Sequence, residues 1–384
     1  MKAFITAGEP SGDKLGAALI AGLRQEVPDI QLSGVAGPLM QAQGQASLFP
    51  MSDLSVMGIA EVLPKYRFLK RRIAETAEAV IAAKPDVLIT IDSPDFSLRV
   101  AKLVKAASDI PTVHYVAPTV WAWRAGRAAK MARHIDHVLA LFPFEPPYMT
   151  DAGMSCDFVG HPVVAEPKAT AHDIQAAMDH LGLSPERPLV LVLPGSRRSE
   201  VARMGPVFLE SLTMLREQHP EIQVAYVATE QTYDALRDAN PDVGVLAPGA
   251  DLDVFQRHKR ALFAAADVAL AASGTVSLEL AAAGTPMVIA YDMNPLSRFL
   301  IGRMLKIDTV TLVNLVSETR TVPEFLGQNC RAELIVPALS AVLQGDDAQK
   351  LAMAQTMQRL GCGDLDPGLR AAQSVVRFVD DRTI

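Results

Sequence analysis

VALAASGTVSLELAAAGTPMVIAY, residues 268–291, decides the fold. Val268–Ala271 is a short apolar run of strand character, and Met287–Tyr291 is another. Between them Ser273-Gly274-Thr275 opens a helix, Gly284 stops it and Pro286 starts the next strand. Both strands are apolar at successive rather than alternate positions, which predicts a parallel sheet covered on both faces.

The same stretch can hold an anion. Free backbone N–H groups and the positive end of a helix converge after Ser273, and Gly274 lets a ligand approach the backbone. Glu279, further along the helix, carries a carboxylate suited to both hydroxyls of a ribose. An ordinary turn with Ser273 as cap and Glu279 in solvent accounts for the serine and glycine alone. The spaced glutamate and the Gly-x-Pro ending favour a nucleotide grip.

Strands separated by amphipathic stretches recur outward in both directions. On the N-terminal side, strands are expected at Lys2–Thr6, Val87–Ile91, Thr112–Val116 and Val138–Leu141, with helices at Asp13–Gln25 and Phe96–Ala107. The alternation pauses across Phe158–Lys168, which carries two prolines, and resumes with strands at Leu189–Leu193 and Gln223–Val227 and a long helix to about His219. The expected fold class is α/β, two doubly wound Rossmann-like domains, residues 1–163 and 164–367, with a C-terminal helix at about 368–384 packing back on the first. Ligands in such folds bind at the C-terminal ends of strands, so the cleft between the domains is the expected site.

Composition is compatible with that plan. The 384 residues exceed one ordinary core, and 49% are apolar. The net charge of −7 argues against a nucleic-acid partner. Cys156, Cys330 and Cys362 are odd in number and widely spaced, as expected of free thiols in a reducing, cytoplasmic setting. No apolar run is long enough for a membrane span, yet mean hydropathy is +0.18, so part of the surface is expected to be apolar.

Four further loops carry candidate chemistry. Pro194-Gly195-Ser196-Arg197 ends a strand; Arg197 suits a diphosphate, and Ser196 suits the cap of the next helix. Gly8-Glu9-Pro10-Ser11-Gly12-Asp13 is not a dinucleotide GxGxxG, but its glycines bring something near the backbone, or else Ser11 or Asp13 caps a helix. Ile91-Asp92-Ser93-Pro94-Asp95 places Asp92 or Ser93 as a helix cap; Asp95 reads either as an ordinary acid of the first helical turn or as a general base towards a hydroxyl. Trp121-Ala122-Trp123-Arg124, followed by Arg127, Lys130 and Arg133, suits a phosphate or headgroup.

From Val56 to Arg72, Met57, Val62, Leu63, Tyr66, Phe68 and Leu69 interleave with Lys65, Arg67, Lys70, Arg71 and Arg72. This suits an interfacial segment on an anionic membrane, although a helix with one buried and one charged face reads similarly. His134 and His137 are spaced like metal ligands but lack a third partner, and are read as structural.

Taken in order, GEPSGD (8–13), VAGPLM (35–40), VMGIAEVL (56–63), IDSPDF (91–96), HYVAPTVWAWR (114–124), FPFE (142–145), FVGHP (158–162), LPGSR (193–197) and ASGTVSLE (272–279) resemble the lipid-A-disaccharide synthases. The match extends to at least Asn314. Local departures are Pro10 and Ser93, where that family often has threonine and alanine; neither removes a proposed chemical group. The resemblance implies an inverting GT-B glycosyltransferase without metal or other cofactor. It would move 2,3-diacylglucosamine from UDP-2,3-diacylglucosamine to the 6-hydroxyl of 2,3-diacylglucosamine 1-phosphate (lipid X). The products would be a β-1,6 disaccharide 1-phosphate and UDP, made at the cytoplasmic face of the inner membrane. It implies Asp95 as the catalytic carboxylate. Arg197, Ser196, Ser273, Gly274, Thr275, Glu279 and Asn314 become donor-site residues, and Gly8, Glu9, Ser11, Gly12, Asp92, Trp123 and Arg124 acceptor-side candidates. Oligomeric state is left open, a homodimer included. Two other functions fit the nucleotide motifs: a UDP-sugar 2-epimerase, and a non-catalytic UDP sensor at the membrane.

Overall fold

The computed structural model describes residues 1–54, 62–121, 126–272, 274–293 and 308–382, with the backbone alone for 62–65. The chain divides into two compact units, Met1–Ala165 with Gly363–Ile384, and Glu166–Cys362.

The first unit is built on six parallel strands: β1 (Lys2–Ala7), β2 (Gln31–Val35), β3 (Val87–Ile91), β4 (Thr112–Tyr115), β5 (His137–Ala140) and β6 (Ser155–Phe158). Their order is β2-β1-β3-β4-β5-β6. β3 reads VLITI and is buried at every position, as a strand must be when helices cover both faces. The helices are α1 (Pro10–Glu26), α2 (Pro38–Ala42), α3 (Val62–Ala83), α4 (Pro94–Ala107), α5 (Gly126–Met131) and α6 (Pro146–Thr150). Phe4, Leu88, Phe96, Val100 and Val80 make one core layer, and Val138, Ile135, Met131 and Met149 another.

The second unit repeats the plan with β7 (Leu189–Leu193), β8 (Gln223–Val227), β9 (Gly244–Leu246), β10 (Val268–Ala271), β11 (Met287–Tyr291) and β12 (Glu324–Leu326). The parallel order β12-β11-β10-β7-β8-β9 is the strand order of dinucleotide-binding folds. Its described helices are α7 (Ala171–Leu181), α8 (Arg198–Gln218), α9 (Tyr233–Ala239), α10 (Leu252–Ala265), α11 (Val276–Ala283), α12 (Leu312–Ser317), α13 (Ala332–Leu343) and α14 (Asp347–Arg359). The expected α/β class with two doubly wound sheets is the observed one.

The last helix, α15 (Pro367–Asp380), belongs to the first unit and crosses α1. The crossing is close enough that a Cβ at Gly22 would lie 2.6 Å from the Gly368 carbonyl oxygen, and one at Gly368 2.6 Å from the Ala18 carbonyl oxygen. Ser374 on α15 bonds His137 Nε2 at 2.8 Å and donates to Asp157 at 2.7 Å, while Phe378 stacks on the His137 ring. His137 is thus an anchor for α15.

Each sheet has one place where the chain reverses its direction of winding. In the first unit it lies between β1 and β3, and in the second between β7 and β10. Crevices form at these points, beyond the C-terminal ends of the strands.

Candidate active site

At the first switch point the loop after β1 meets the loop after β3. The space a Cβ would take on Gly8 is filled by Ser93 Oγ, 2.8 Å away. Ser11 donates to Asp92 Oδ2 at 3.3 Å. Asp92 and Ser93 both have left-handed backbone, with φ of 50° and 44°. The Asp92 N–H bonds the Tyr115 carbonyl at 3.0 Å, and Ser97 Oγ donates to the Asp92 carbonyl at 2.7 Å. Nearby Val116, at the end of β4, has φ of 86°. Three non-glycine residues in this rarely populated region, on adjacent strand ends, are a local cost held by the surrounding ladder.

Several cap readings are corrected here. Ser93 is the N-cap of α4, but no side chain bonds the helix end, so neither Asp92 nor Ser93 acts as a conventional cap. In the first loop Glu9 is the N-cap of α1, also without a side-chain bond, and Pro10 begins the helix. Asp13 is buried and serves another helix: its carboxylate accepts the N–H groups of Leu39 and Met40 at 2.9 and 3.0 Å, at the start of α2. Gly8 and Gly12 are buried, while Glu9 and Ser11 are exposed. Asp95 is exposed in the first turn of α4 and has no hydrogen bond or ion pair among the described residues.

The sequence offered no reading of Glu145, although FPFE carries it. Glu145 is buried and accepts the N–H groups of Leu141 and Phe142 at 3.1 and 3.0 Å and the Trp121 indole N–H at 3.3 Å. Burial pushes its carboxyl up to about 7, against these three donors. Phe144 meets Trp121 edge-on at 5.1 Å, and Phe142 stacks on Phe144 at 5.4 Å and tilts against His161. The buried carboxyl thus ties FPFE to HYVAPTVWAWR, and the Phe142 ring adds His161 of FVGHP. A glutamate after two phenylalanines gives no periodic signal, so only the fold exposes it. Trp123 and Arg124 lie outside the described residues.

The loops after β7 and β10 adjoin the second switch point. Gly195 has φ of 129°, and a Cβ there would lie 2.6 Å from Glu200 Cβ. Glu200 folds back over the loop: Oε2 accepts Ser196 N–H at 2.9 Å and Arg197 N–H at 3.2 Å, while Oε1 lies 3.1 Å from the Arg197 guanidinium. Thr229 Oγ1 donates to the Ser196 carbonyl at 3.0 Å. The N-cap of α8 is thus Arg197 with Glu200, not the Ser196 hydroxyl. The Arg197 side chain remains 75% exposed, free to reach a ligand.

At α11 no side chain among the described residues caps the N-terminus, which begins at Thr275 after Gly274 with φ of 141°. Of the two helix ends, that of α8 has a carboxylate, Glu200, on its backbone N–H groups, whereas the first-turn Glu279 of α11 is turned to Lys259, so the α11 end is the one left to favour an incoming phosphate. Ser273 lies outside the described residues. Glu279 lies in the first turn of α11, and its Oε2 is 2.5 Å from Lys259 Nζ on α10. Asn314 stands apart from this group in kind. It is 1% exposed; its Nδ2 donates to the Val322 carbonyl and to Thr309 Oγ1, and its Oδ1 accepts the Val322 N–H at 3.0 Å. A ligand would have to displace those bonds.

On α3, Tyr66 is 45% exposed with Lys70 over its ring. Phe68 lies under Arg71 and Arg72, and Arg72 also bonds Asp53 and Glu75. Leu69 packs against the core, so it is not wholly given to the surface. Met57 lies outside the described residues, as do the side chains of Val62 and Leu63. Among the described residues, no helix is long and apolar enough to cross a membrane, and no three His, Cys, Asp or Glu side chains are grouped as a metal site.

Comparison with known proteins gives four findings. A family model described as lipid-A-disaccharide synthetase matches residues 3–366. A lipid-A-disaccharide synthase of Ruegeria pomeroyi is 61% identical over 98% of this chain and 95% of its own length. Among solved structures, a UDP-GlcNAc 2-epimerase from Neisseria meningitidis bound to UDP-GlcNAc has a TM-score of 0.62 at 12% identity, covering 99% of this chain and 100% of its own. MurG of Acinetobacter baumannii has a TM-score of 0.54 at 14% identity, with 99% of each chain covered. The two structures share the fold.

Proposed function

The chain belongs to the lipid-A-disaccharide synthetase family, and on that premise we propose how its residues divide the work of a glycosyltransferase that makes the lipid A disaccharide. The donor is UDP-2,3-diacylglucosamine and the acceptor is lipid X. The second unit, 164–367 by the sequence boundaries, holds the donor; the first, 1–163, presents the acceptor and the base. The observation that carries this division is the placement of the motif loops at two switch points, nucleotide-type loops on one sheet and carboxylate loops on the other.

Asp95 takes the proton of the acceptor 6-hydroxyl as that oxygen attacks the anomeric carbon. The bond from that carbon to the diphosphate oxygen breaks, and UDP carries away the electron pair. The carboxylate of Asp95, exposed and without a partner among the described residues, supports this role. Arg197 and the end of α11 at Gly274 and Thr275 meet the charge on the departing diphosphate. Glu279 accepts the ribose hydroxyls.

Both substrates carry acyl chains, so the enzyme must draw them from a bilayer. Exposed Tyr66, the arginine-stacked Phe68 and the cations of α3 support peripheral attachment to the anionic, cytoplasmic face of the inner membrane. Replacing Tyr66 and Phe68 by serine should lower sedimentation with anionic liposomes while the fold persists; unchanged sedimentation would move the contact elsewhere.

The function is tested by incubating the protein with the UDP donor alone and with donor plus lipid X. Disaccharide and UDP should appear only with both substrates. Turnover of donor alone would identify an epimerase instead, and UDP binding without any turnover a sensor.

A further inference from the structure

The ion pair between α10 and α11 carries an inference beyond the donor site itself. Lys259 Nζ sits 2.5 Å from Glu279 Oε2 and 5.3 Å from the centroid of the Phe263 ring, one helical turn along α10. Phe263 is buried, and its carbonyl accepts a hydrogen bond from Thr285 Oγ1, just past α11. α11 is therefore tied to α10 in its first turn and again just past its C-terminus. The ammonium is held on a fixed ring and aimed at one oxygen of the carboxylate. The Lys259 side chain is 20% exposed and that of Glu279 39%.

An ion pair this exposed contributes little to folding. Its effect on the geometry of Glu279 is larger. A glutamate in the first turn of a helix has three side-chain torsions to fix before both oxygens can meet a vicinal diol. Each carboxylate oxygen has two lone pairs, so the ammonium on Oε2 leaves one there and both on Oε1 for ligand hydroxyls. We propose that Lys259 is a positioning residue: it holds the Glu279 carboxylate oriented for the ribose of the donor nucleotide. This rests on the reading of Glu279 as the ribose ligand.

The test measures affinity of the full chain for UDP and for 2′-deoxy-UDP by calorimetry, in the native protein and in the variants Lys259→Met, Lys259→Arg and Glu279→Gln. Thermal melting checks that each variant is folded. Lys259→Met should weaken UDP about tenfold, the loss expected for one charge-assisted contact, and leave 2′-deoxy-UDP nearly unchanged. Lys259→Arg should recover most of the preference for the ribonucleotide, since it keeps the cation. Equal loss for both nucleotides in Lys259→Met would overturn the proposal, because Lys259 would then act on the phosphates or on the fold. So would a preserved preference in that variant while Glu279→Gln loses it. If Glu279→Gln itself keeps the full preference, the ribose reading of Glu279 fails, and the role of Lys259 fails with it.

Discussion

Asp95 and Asn314 show how differently two polar residues can be held. Asp95 is exposed with no partner among the described residues; Asn314 is buried with its amide fully engaged. Asp95→Asn keeps size and polarity and removes the base. It should leave melting temperature and UDP affinity unchanged and lower kcat by about 10²–10⁴. Near-native turnover would remove Asp95 from the mechanism. Asn314→Ala should behave in the opposite way. It strands the N–H and carbonyl of Val322 in the interior, so unfolding in denaturant should show a loss of about 2 kcal/mol or more. A variant of native stability that had lost UDP would instead make Asn314 a direct donor ligand. Asp95 is visible in the sequence as a motif member, and Asn314 only through the family resemblance. Their bonding is not, because the partner of Asn314 is a backbone segment that only folding brings near.

At the scale of elements, the interior strands were legible and the edges were not. β1, β3, β4, β5, β7, β8, β10 and β11 were recognised within a residue or two. β2, β6, β9 and β12 were not, and these four are the two edges of each sheet. Their sequences, QLSGV, SCDF, GVL and EFL, are short, polar or glycine-bearing, and half exposed. An edge strand lacks the second buried face that makes a parallel strand read as an apolar run, and polar edges discourage pairing with other chains. The β7–α8 loop shows a second limit. Gly195 was quoted as part of a phosphate loop, but its immediate neighbour is the returning Glu200. Gly195→Ala would force a side chain onto φ of 129° and into Glu200 Cβ. The expected cost is about 2 kcal/mol or more. Because Glu200 bonds the backbone and guanidinium of Arg197, UDP affinity should fall as well, by titration of the folded variant. Native affinity would show that the loop does not position Arg197.

For the molecule as a whole, what sequence order could not supply is the pairing of distant loops at each switch point. GEPSGD meets IDSPD because β3 lies beside β1, and LPGSR meets the loop at Gly274 because β10 lies beside β7. The motifs named the chemistry; the strand order brought it together. The fold also stores opposed proton affinities in the first unit. Burial pushes His114 and His137 down to about 4, and pushes Glu145 up to about 7. The unfolded chain binds more protons than the native one at each histidine between about pH 4 and 6.5, so that stability is present above 6.5 and lost as pH falls towards 4. Glu145 has the opposite sign: its contribution is present below 4.5 and lost as pH rises through 7. Each amounts to about 3 kcal/mol, so two histidines outweigh one glutamate and the first unit should gain about 3 kcal/mol from pH 4.5 to 6.5. Calorimetric melts across that range check this, and Glu145→Gln should steepen the rise. A melting temperature that falls or stays level over the same range would contradict the balance.

The configuration of the new linkage bears most directly on the division of labour between the two units. NMR of the product made from the UDP donor and lipid X should show a β-1,6 bond, formed in equimolar amount with UDP. An α-linked product, or UDP released without any disaccharide, would contradict an inverting transfer with the base on one unit and the leaving group on the other.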